Sequence, residues 1–466
     1  MSMATAGLFH APHAWIAGRW CEDALLQAVD GVWRDIAVGV AAPPQATRLH
    51  GPVLPALVNA HSHAFQRAIA GLTERRAGGA AGADDFWSWR ERMYACANRI
   101  TPVQMEAIAT FLYAELLAGG YAHVCEFHYL HHDLAGRPYA DALEMSLALA
   151  RAAQRAGIGL TLLPVLYTRS GFGSAGLRDE QRRFASTPDS VLRLAEGMAR
   201  QCGANVDVGV AIHSLRAADP GAVRELAAAA SRKRWPIHIH IAEQMQEVDD
   251  CVAHTGARPI EWLLAHLAPD RLWNLVHATH AVPAELDAIR ASGAAVVICP
   301  GTEANLGDGV FDLPGLAGGA WSIGSDSHIT RAWPLELQLL EYGQRLTLRQ
   351  RNIAARGAVG DSSATVLFEA ALAGGAQAAG RPLGALQAGN RADFLVLDTD
   401  APALLGIPQV NLLDALVFSA PTARFARVYT GARRVAGTDD GVDQWFGGPQ
   451  VAEAFARAMR QLWSAG

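Results

Sequence analysis

The segment LPALVNAHSHAFQR, residues 54–67, is apolar for its first five positions and then places two histidines one residue apart, followed by a glutamine and an arginine. If this is a buried strand, His61 and His63 sit at its end and face the same way, because side chains at i and i+2 share a face. Seven further short apolar runs follow: HVCEFHY (123–129), LTLLPVLYT (160–168), VDVGVAIH (206–213), PIHIHIAE (236–243), LWNLVHATH (272–280), GAAVVICP (293–300) and WSIGSDSH (321–328). Alanine-rich segments with helical punctuation separate several of them. DALEMSLALARAAQRAG closes on Gly157, and DPGAVRELAAAASRKR opens with Asp219 as N-cap and Pro220 at the first helical position.

Strands that alternate with helices imply parallel βαβ units, and eight of them over roughly 270 residues match a (β/α)8 TIM-like barrel of the α/β class. In such a barrel the chemistry sits at the C-terminal ends of the strands. His61, His63, Tyr129, His213, His240, Glu243, His277 and Asp326 all fall there, a placement that a random scatter of 17 histidines would not produce.

Two regions lie outside the barrel. Residues 1–53 precede the first strand, and NRADFLVLDTD (390–400) and FARVYTGARRV (425–435) are strand-like again. The expected organisation is a barrel over 54–383 and a small composite β-sandwich domain built from 1–53 and 384–440. A C-terminal helix within 441–466 is expected at VAEAFARAMRQLW (451–463). AGGAAGAD (77–84) reads as a loop.

Composition excludes several classes of function. Hydrophobic residues make up 51% and charged residues 18% of the 466, a soluble globular balance, and the net charge of −6 comes without any basic run that would mark a nucleic-acid surface. No apolar stretch reaches the roughly 20 residues of a membrane span. The opening MSMATAGLFHAPHAWIAGRW lacks the charged and apolar regions of a secretory signal. Cysteines 21, 96, 125, 202, 251 and 299 form no CxxC, so neither a disulfide framework nor a thiolate zinc site is indicated. A cytoplasmic enzyme for a small molecule is the expectation, with no nucleic-acid or membrane partner.

An HxH pair alone is equally well read as two hydrogen-bonded polar residues at a strand end. HIHIAE strengthens the metal reading. His61 and His63 from the first strand, His240 from the fifth and Asp326 from the eighth make a closed ligand set for zinc that leaves a position for solvent. His238 shares the face of His240 but lies deeper, as a core histidine. Glu243, three residues past His240, suits a carboxylate that carries protons to a leaving nitrogen, as in zinc deaminases whose catalytic Glu is not a ligand. Its bland alternative is a solvated or salt-bridged side chain. His277 is placed to donate to developing charge, whereas His280 and His328 read as structural or loop residues.

The set His61-x-His63, His240-x-x-Glu243, His277 and Asp326 resembles the amidohydrolase superfamily in its mononuclear deaminase branch. Binuclear branches bridge two metals with a carboxylated lysine on strand four. No lysine stands there, and Lys233, the one near a strand, belongs to a helix. The resemblance therefore implies one divalent metal per chain, zinc first, with iron or manganese as alternatives. Within the superfamily, NAHSHAFQR, HIHIAEQ and HSLRA are similar to the formimidoylglutamate deiminase family over about residues 54–383. One departure is Ala56, where relatives often carry glycine in a PG pair; it concerns the turn.

That resemblance implies hydrolytic deimination of N-formimino-L-glutamate to N-formyl-L-glutamate and ammonia, in histidine degradation, by a homodimer. It also implies substrate contacts at Gln66, Arg90, Tyr129, His213 and Arg216, with Arg67 structural. Such a substrate carries two carboxylates, and the planar guanidinium fork of arginine suits them. In the implied reaction Asp326 takes a proton from the attacking water, Glu243 protonates the imine nitrogen, and His277 steadies the tetrahedral intermediate. A deaminase of a purine or pterin ring is the alternative, for which Trp87 and Trp89 offer stacking surface. A catalytically silent relative acting as a binding protein is the other, and the complete ligand and acid set speaks against it.

Overall fold

Strands rich in Val, Ile and Leu are buried on both faces when they pair in parallel; all eight runs pair in parallel and are buried almost throughout, Val206–Val208 being the half-buried exception. The computed structural model describes residues 6–76, 84–201, 203, 205–356, 362–421, 425–437 and 448–464. The barrel strands are Leu57–Ser62, Tyr121–His128, Gly159–Leu166, Val206–Val208 continued by Val210–Ile212, Ile237–Ile241, Trp273–His277, Ala295–Ile298 and Ala320–Ile323. They pair in parallel in chain order. Ser62 bridges Asp326 to close the ring, where Asp326 N–H donates to His61 O at 3.0 Å and His63 N–H to Asp326 O at 3.3 Å. Gly324 makes this approach possible, since a Cβ there would lie 2.6 Å from His61 Cβ.

The strands are shorter than the apolar runs. His213, Glu243 and Asp326 lie just beyond their strands, on the turns that form the mouth. The run from Leu54 to His61 is likewise not one strand. Val53–Pro55 pairs antiparallel with Phe394–Leu397 in the small sheet, and the chain changes sheets at Ala56.

Helices cover the barrel as their punctuation requires. Glu144–Ala156 ends at Gly157 with φ 84°, a left-handed cap that glycine adopts without strain. Pro220–Lys233 starts on Asp219, whose carboxylate accepts from Gly221 N at 2.8 Å and Ala222 N at 3.4 Å. One apolar cluster joins barrel and helices, and fully buried members such as Leu163, Ile239 and Val297 each contribute about 1.5–3 kcal/mol.

Both chain ends build the second sheet. Ala6–Ile16, Arg19–Val29, Val32–Ala37 and Thr47–Arg48 come from the N-terminal side; Phe394–Leu397, Phe425–Thr430 and Arg433–Gly437 come from the C-terminal side. The sheet curls until Val32 bridges Arg391, enclosing Phe9, Trp33, Phe394 and Tyr429, with Phe394 stacked on Tyr429 at 4.2 Å. Helix Pro449–Trp463 docks through Phe455 on Phe111 at 4.2 Å. Residues 77–83 of the AGGAAGAD segment and Cys202 lie outside the described residues; the other five cysteines are free. Among the described residues no helix is long and apolar enough to cross a membrane.

Candidate active site

Four side chains from strands far apart in sequence meet at the mouth. His61, His63, His240 and Asp326 each offer a ligand atom, and these atoms lie within 4.8 Å of one another. His61 Nε2 is 3.1 Å from His63 Nε2 and 2.9 Å from His240 Nε2, while Asp326 Oδ1 is 3.4 Å from His61 Nε2 and 3.2 Å from His63 Nε2. The tautomers follow from the other ring nitrogens. His63 Nδ1–H donates to Phe127 O at 2.9 Å and His240 Nδ1–H to His213 O at 3.0 Å, so their Nε2 lone pairs face inward. Facing lone pairs repel unless a cation lies between them. The spacings match the roughly 3.3 Å edge of a tetrahedron with metal–nitrogen bonds of about 2.0–2.1 Å. The donor set therefore fits one divalent metal. Burial holds His61 near pKa 3, in the neutral form a ligand needs, and although burial alone would raise Asp326, the His61 and His63 rings against it keep it well below the usual range. Lys233, the single lysine of the sequence, pairs with Glu196 at 2.7 Å on the barrel exterior, so no lysine stands near the mouth to bridge a second metal.

Beside this set, Glu243 Oε1 lies 3.5 Å and Asp326 Oδ2 lies 3.9 Å from His277 Nε2. Burial raises the Glu243 carboxyl to about 7, with His277 pulling the other way. Burial would lower His277, but Glu243 first, then Glu303 and Asp326, push it up to about 10. His277 thus stands as a cation among three acids. Its backbone is left-handed at φ 69°, as are Ala242 at 50° and Asp326 at 44°. Non-glycine residues seldom adopt this conformation, and it gathers at sites where the surrounding structure imposes it.

Next to His63, Gln66 Nε2 donates to Tyr129 OH at 3.1 Å and leaves its buried Oε1 without a partner among the described residues. Tyr129 lies 5.1 Å from the His63 ring and 5.8 Å from that of His213. Arg216 is buried on the loop after the fourth strand, and Arg90 sits on helix Phe86–Ala97. Both guanidinium groups lie over Trp87, at 4.5 Å for Arg90 and 5.1 Å for Arg216. Tyr129 and His213 thus lie against the rings of the metal set, Gln66 joins them through Tyr129, and Arg90 and Arg216 meet over Trp87, with their charges felt by His213. Trp87, expected as a stacking surface under the ring-deaminase alternative, is instead covered by these two cations. Arg67 ion-pairs with Glu115 at 2.7 Å, and His238, 0% exposed, contacts Ala378 O at 2.9 Å; both are structural.

Sequence reading missed the supports. Glu303 Oε1 accepts from His277 Nδ1 at 3.2 Å and from Cys299 N at 2.9 Å, in a second cluster (His277, Cys299, Glu303) whose donor atoms are also within 4.8 Å. Burial holds Cys299 as a thiol, and this cluster anchors His277. Glu126 accepts from Ser62 Oγ at 2.7 Å and Ala64 N at 2.6 Å, tying down both sides of His63. Asn59 and Ser325 exchange bonds of 2.7 and 2.8 Å, Ser325 Oγ meets His328 Nδ1 at 2.9 Å, and His328 Nε2–H donates to His63 O at 3.0 Å. His328 is therefore the link between the Asp326 turn and the first strand. The signal available was the polar residue interrupting each apolar run, but its partner lies across the barrel.

The geometry has counterparts among known proteins. A family model described as the amidohydrolase family matches residues 53–435. Formimidoylglutamate deiminase of Pseudomonas aeruginosa is 46% identical over 440 residues, which cover 93% of this chain and 94% of that protein. The crystal structure of an amidohydrolase from Brucella melitensis aligns with a TM-score of 0.90 at 40% identity, over 98% of this chain and 99% of the other. An adenosine deaminase from Xanthomonas campestris with bound zinc aligns with a TM-score of 0.78 over 98% of this chain and 97% of the other; at 21% identity it attests to the fold alone. With the matched segment spanning the whole barrel and strands of the small sheet, the chain belongs to the amidohydrolase family.

Proposed function

We propose that this chain hydrolyses N-formimino-L-glutamate to N-formyl-L-glutamate and ammonia, using one divalent metal, zinc first, held by His61, His63, His240 and Asp326. The observation that carries the reading is a buried proton-handling pair, Glu243 and His277, beside the metal set, together with two arginines brought onto one indole whose charges reach His213. The relative from Pseudomonas aeruginosa, a formimidoylglutamate deiminase at 46% identity, supports the choice of substrate.

When bound, the metal would lower the pKa of a water toward about 7 and polarise the carbon under attack. The residues do the rest. Arg216 and Arg90 bind the two carboxylates, and Gln66, Tyr129 and His213 orient the chain that joins them to the formimino carbon. Asp326 Oδ2 accepts the proton of the attacking water. Glu243, whose carboxyl burial raises to about 7, exchanges its proton near neutral pH and delivers one to the formimino nitrogen. His277 Nε2–H donates to the oxygen as negative charge develops on it. Asp326 passes the water's first proton on to the nitrogen and Glu243 recovers its own from the remaining hydroxyl; the carbon–nitrogen bond breaks, nitrogen leaves as ammonia with two added protons, and the carbon keeps the water's oxygen as a formyl group.

The test is ammonia release by purified, metal-analysed protein from N-formimino-L-glutamate beside guanine. Turnover of the diacid alone, with about one metal per chain, is expected; turnover of guanine without the diacid overturns the reading.

A further inference from the structure

Trp87 belongs to none of the roles above, yet both arginines lie over its ring. Its own position is locked at the start of helix Phe86–Ala97. Asp85 Oδ1 accepts from Trp87 N at 3.0 Å and from Ser88 N at 3.2 Å, and Ser88 Oγ accepts from Asp85 N at 3.0 Å. This capping box fixes the first turn. Arg90, one turn further on the same side, places its Cζ 4.5 Å from the Trp87 ring centroid. Arg216 comes from the loop after the fourth barrel strand, whose carbonyls at Leu215 and Arg216 accept from Arg169 at 2.8 and 3.2 Å, and its Cζ stands 5.1 Å from the same centroid.

Two like charges thus share one ring, and the acids that feel the charge of Arg216, Glu247 and Glu243, form no ion pair with it among the described residues. Among the described residues Arg216 forms no ion pair, and Arg90 has only its neighbour Glu91 at 3.7 Å. Arg90 Nε is buried without a hydrogen-bond partner among the described residues. Burial depresses Arg90, and the charge of Arg216 depresses it further. What holds the pair is the negative face of the indole, helped by Tyr94 at 5.5 Å from Arg90 and Phe86 at 5.9 Å from Arg216. A ring that contacts both cations sets the distance between them. That distance decides whether one ligand can reach both forks at once.

We propose that Trp87 is a positioning residue that determines specificity for substrates with two carboxylates, by holding the Arg90 and Arg216 guanidinium groups at a single spacing. The inference rests on the diacid reading given above. Without the ring both cations remain, but each must be ordered by the ligand itself, so the cost falls on substrate binding and not on the chemical step.

The experiment compares Trp87→Ala, Trp87→Phe and Trp87→Leu with wild type. It measures turnover of N-formimino-L-glutamate and of N-formimino-L-glutamine, in which the side-chain carboxylate is an amide, together with metal content. Trp87→Ala should raise KM for the diacid about tenfold, the effect of losing ring contacts of ordinary strength, with kcat within about threefold and metal unchanged. Its preference for the diacid over the amide should collapse. Trp87→Phe should recover most of both, and Trp87→Leu, which fills space without a π face, should not. Equal behaviour of Phe and Leu, an unchanged KM in Trp87→Ala, or a loss confined to kcat would overturn the proposal. If wild type fails to release ammonia from the diacid, the functional reading falls first. Calorimetric binding of N-formyl-L-glutamate to wild type and Trp87→Ala then tests the spacing separately, and equal affinities would overturn it.

Discussion

Glu243 Oε1 lies 3.5 Å from His277 Nε2, which brings the proposed proton carrier against an imidazole beside the metal-ligand set. Each tunes the other: the imidazole draws the carboxyl down against its burial, and the carboxylate raises the imidazole. The division of labour between them and the metal ligands can be tested residue by residue.

Glu243→Gln keeps the shape of the side chain and removes its proton traffic. It should retain metal at the wild-type level while kcat falls about 10²–10⁴-fold. Metal analysis alongside an ammonia assay checks this; full activity would take Glu243 out of the reaction.

Removal of the metal should abolish turnover, and zinc, iron or manganese should restore it to different extents. His240→Ala removes one of three inward-facing nitrogens, so purified variant should carry less than about a tenth of the wild-type metal. A variant that keeps its metal would show that His240 is not a ligand.

Arg216→Met preserves bulk but deletes a charge-assisted donor. The lost bonds to a carboxylate amount to about 2–3 kcal/mol, a KM increase of about 30–150-fold with metal content unchanged. Loss of metal in this variant would place Arg216 at the wrong end of the pocket.

Acid should destabilise the fold well before carboxylates are neutralised. Burial depresses His131 and His238 to about 4, against 6.5 for an exposed imidazole. Between those values the unfolded chain binds more protons than the folded one, so stability is full above pH 6.5 and drains as pH falls toward 4. At pH 5 each group costs about 2 kcal/mol. Chemical denaturation at pH 7.5 and pH 5 measures it, and an unchanged midpoint would refute the assignment of buried neutral rings.

Much of the site was legible because its members obey a local rule. A ligand at the end of an apolar run announces itself through period-two alternation, which His61, His63 and His240 follow with no help from distant sequence. Asp326 and Glu243 were legible by their short offsets from such runs, although both stand on turns in left-handed or adjacent backbone. Glu303, Glu126 and the Asn59–Ser325–His328 chain were not legible. Their meaning is a hydrogen bond across the barrel, 26 residues away in sequence for Glu303 and His277, and 265 for His63 and His328.

Trp87 marks the same boundary. Its aromatic character suggested stacking on a ring substrate, a reading local to FWSWR; the fold spends that surface on Arg90 and on Arg216, more than a hundred residues away. By itself the sequence determined the eight strands, their parallel order and the identity of the groups at their ends, because burial and side-chain alternation act over a few residues. Only the tertiary structure decided which of those groups point at one another and what steadies them. Closing the barrel at Ser62 and Asp326 converts sequence distance into contact, and no pattern within one strand encodes a partner on another.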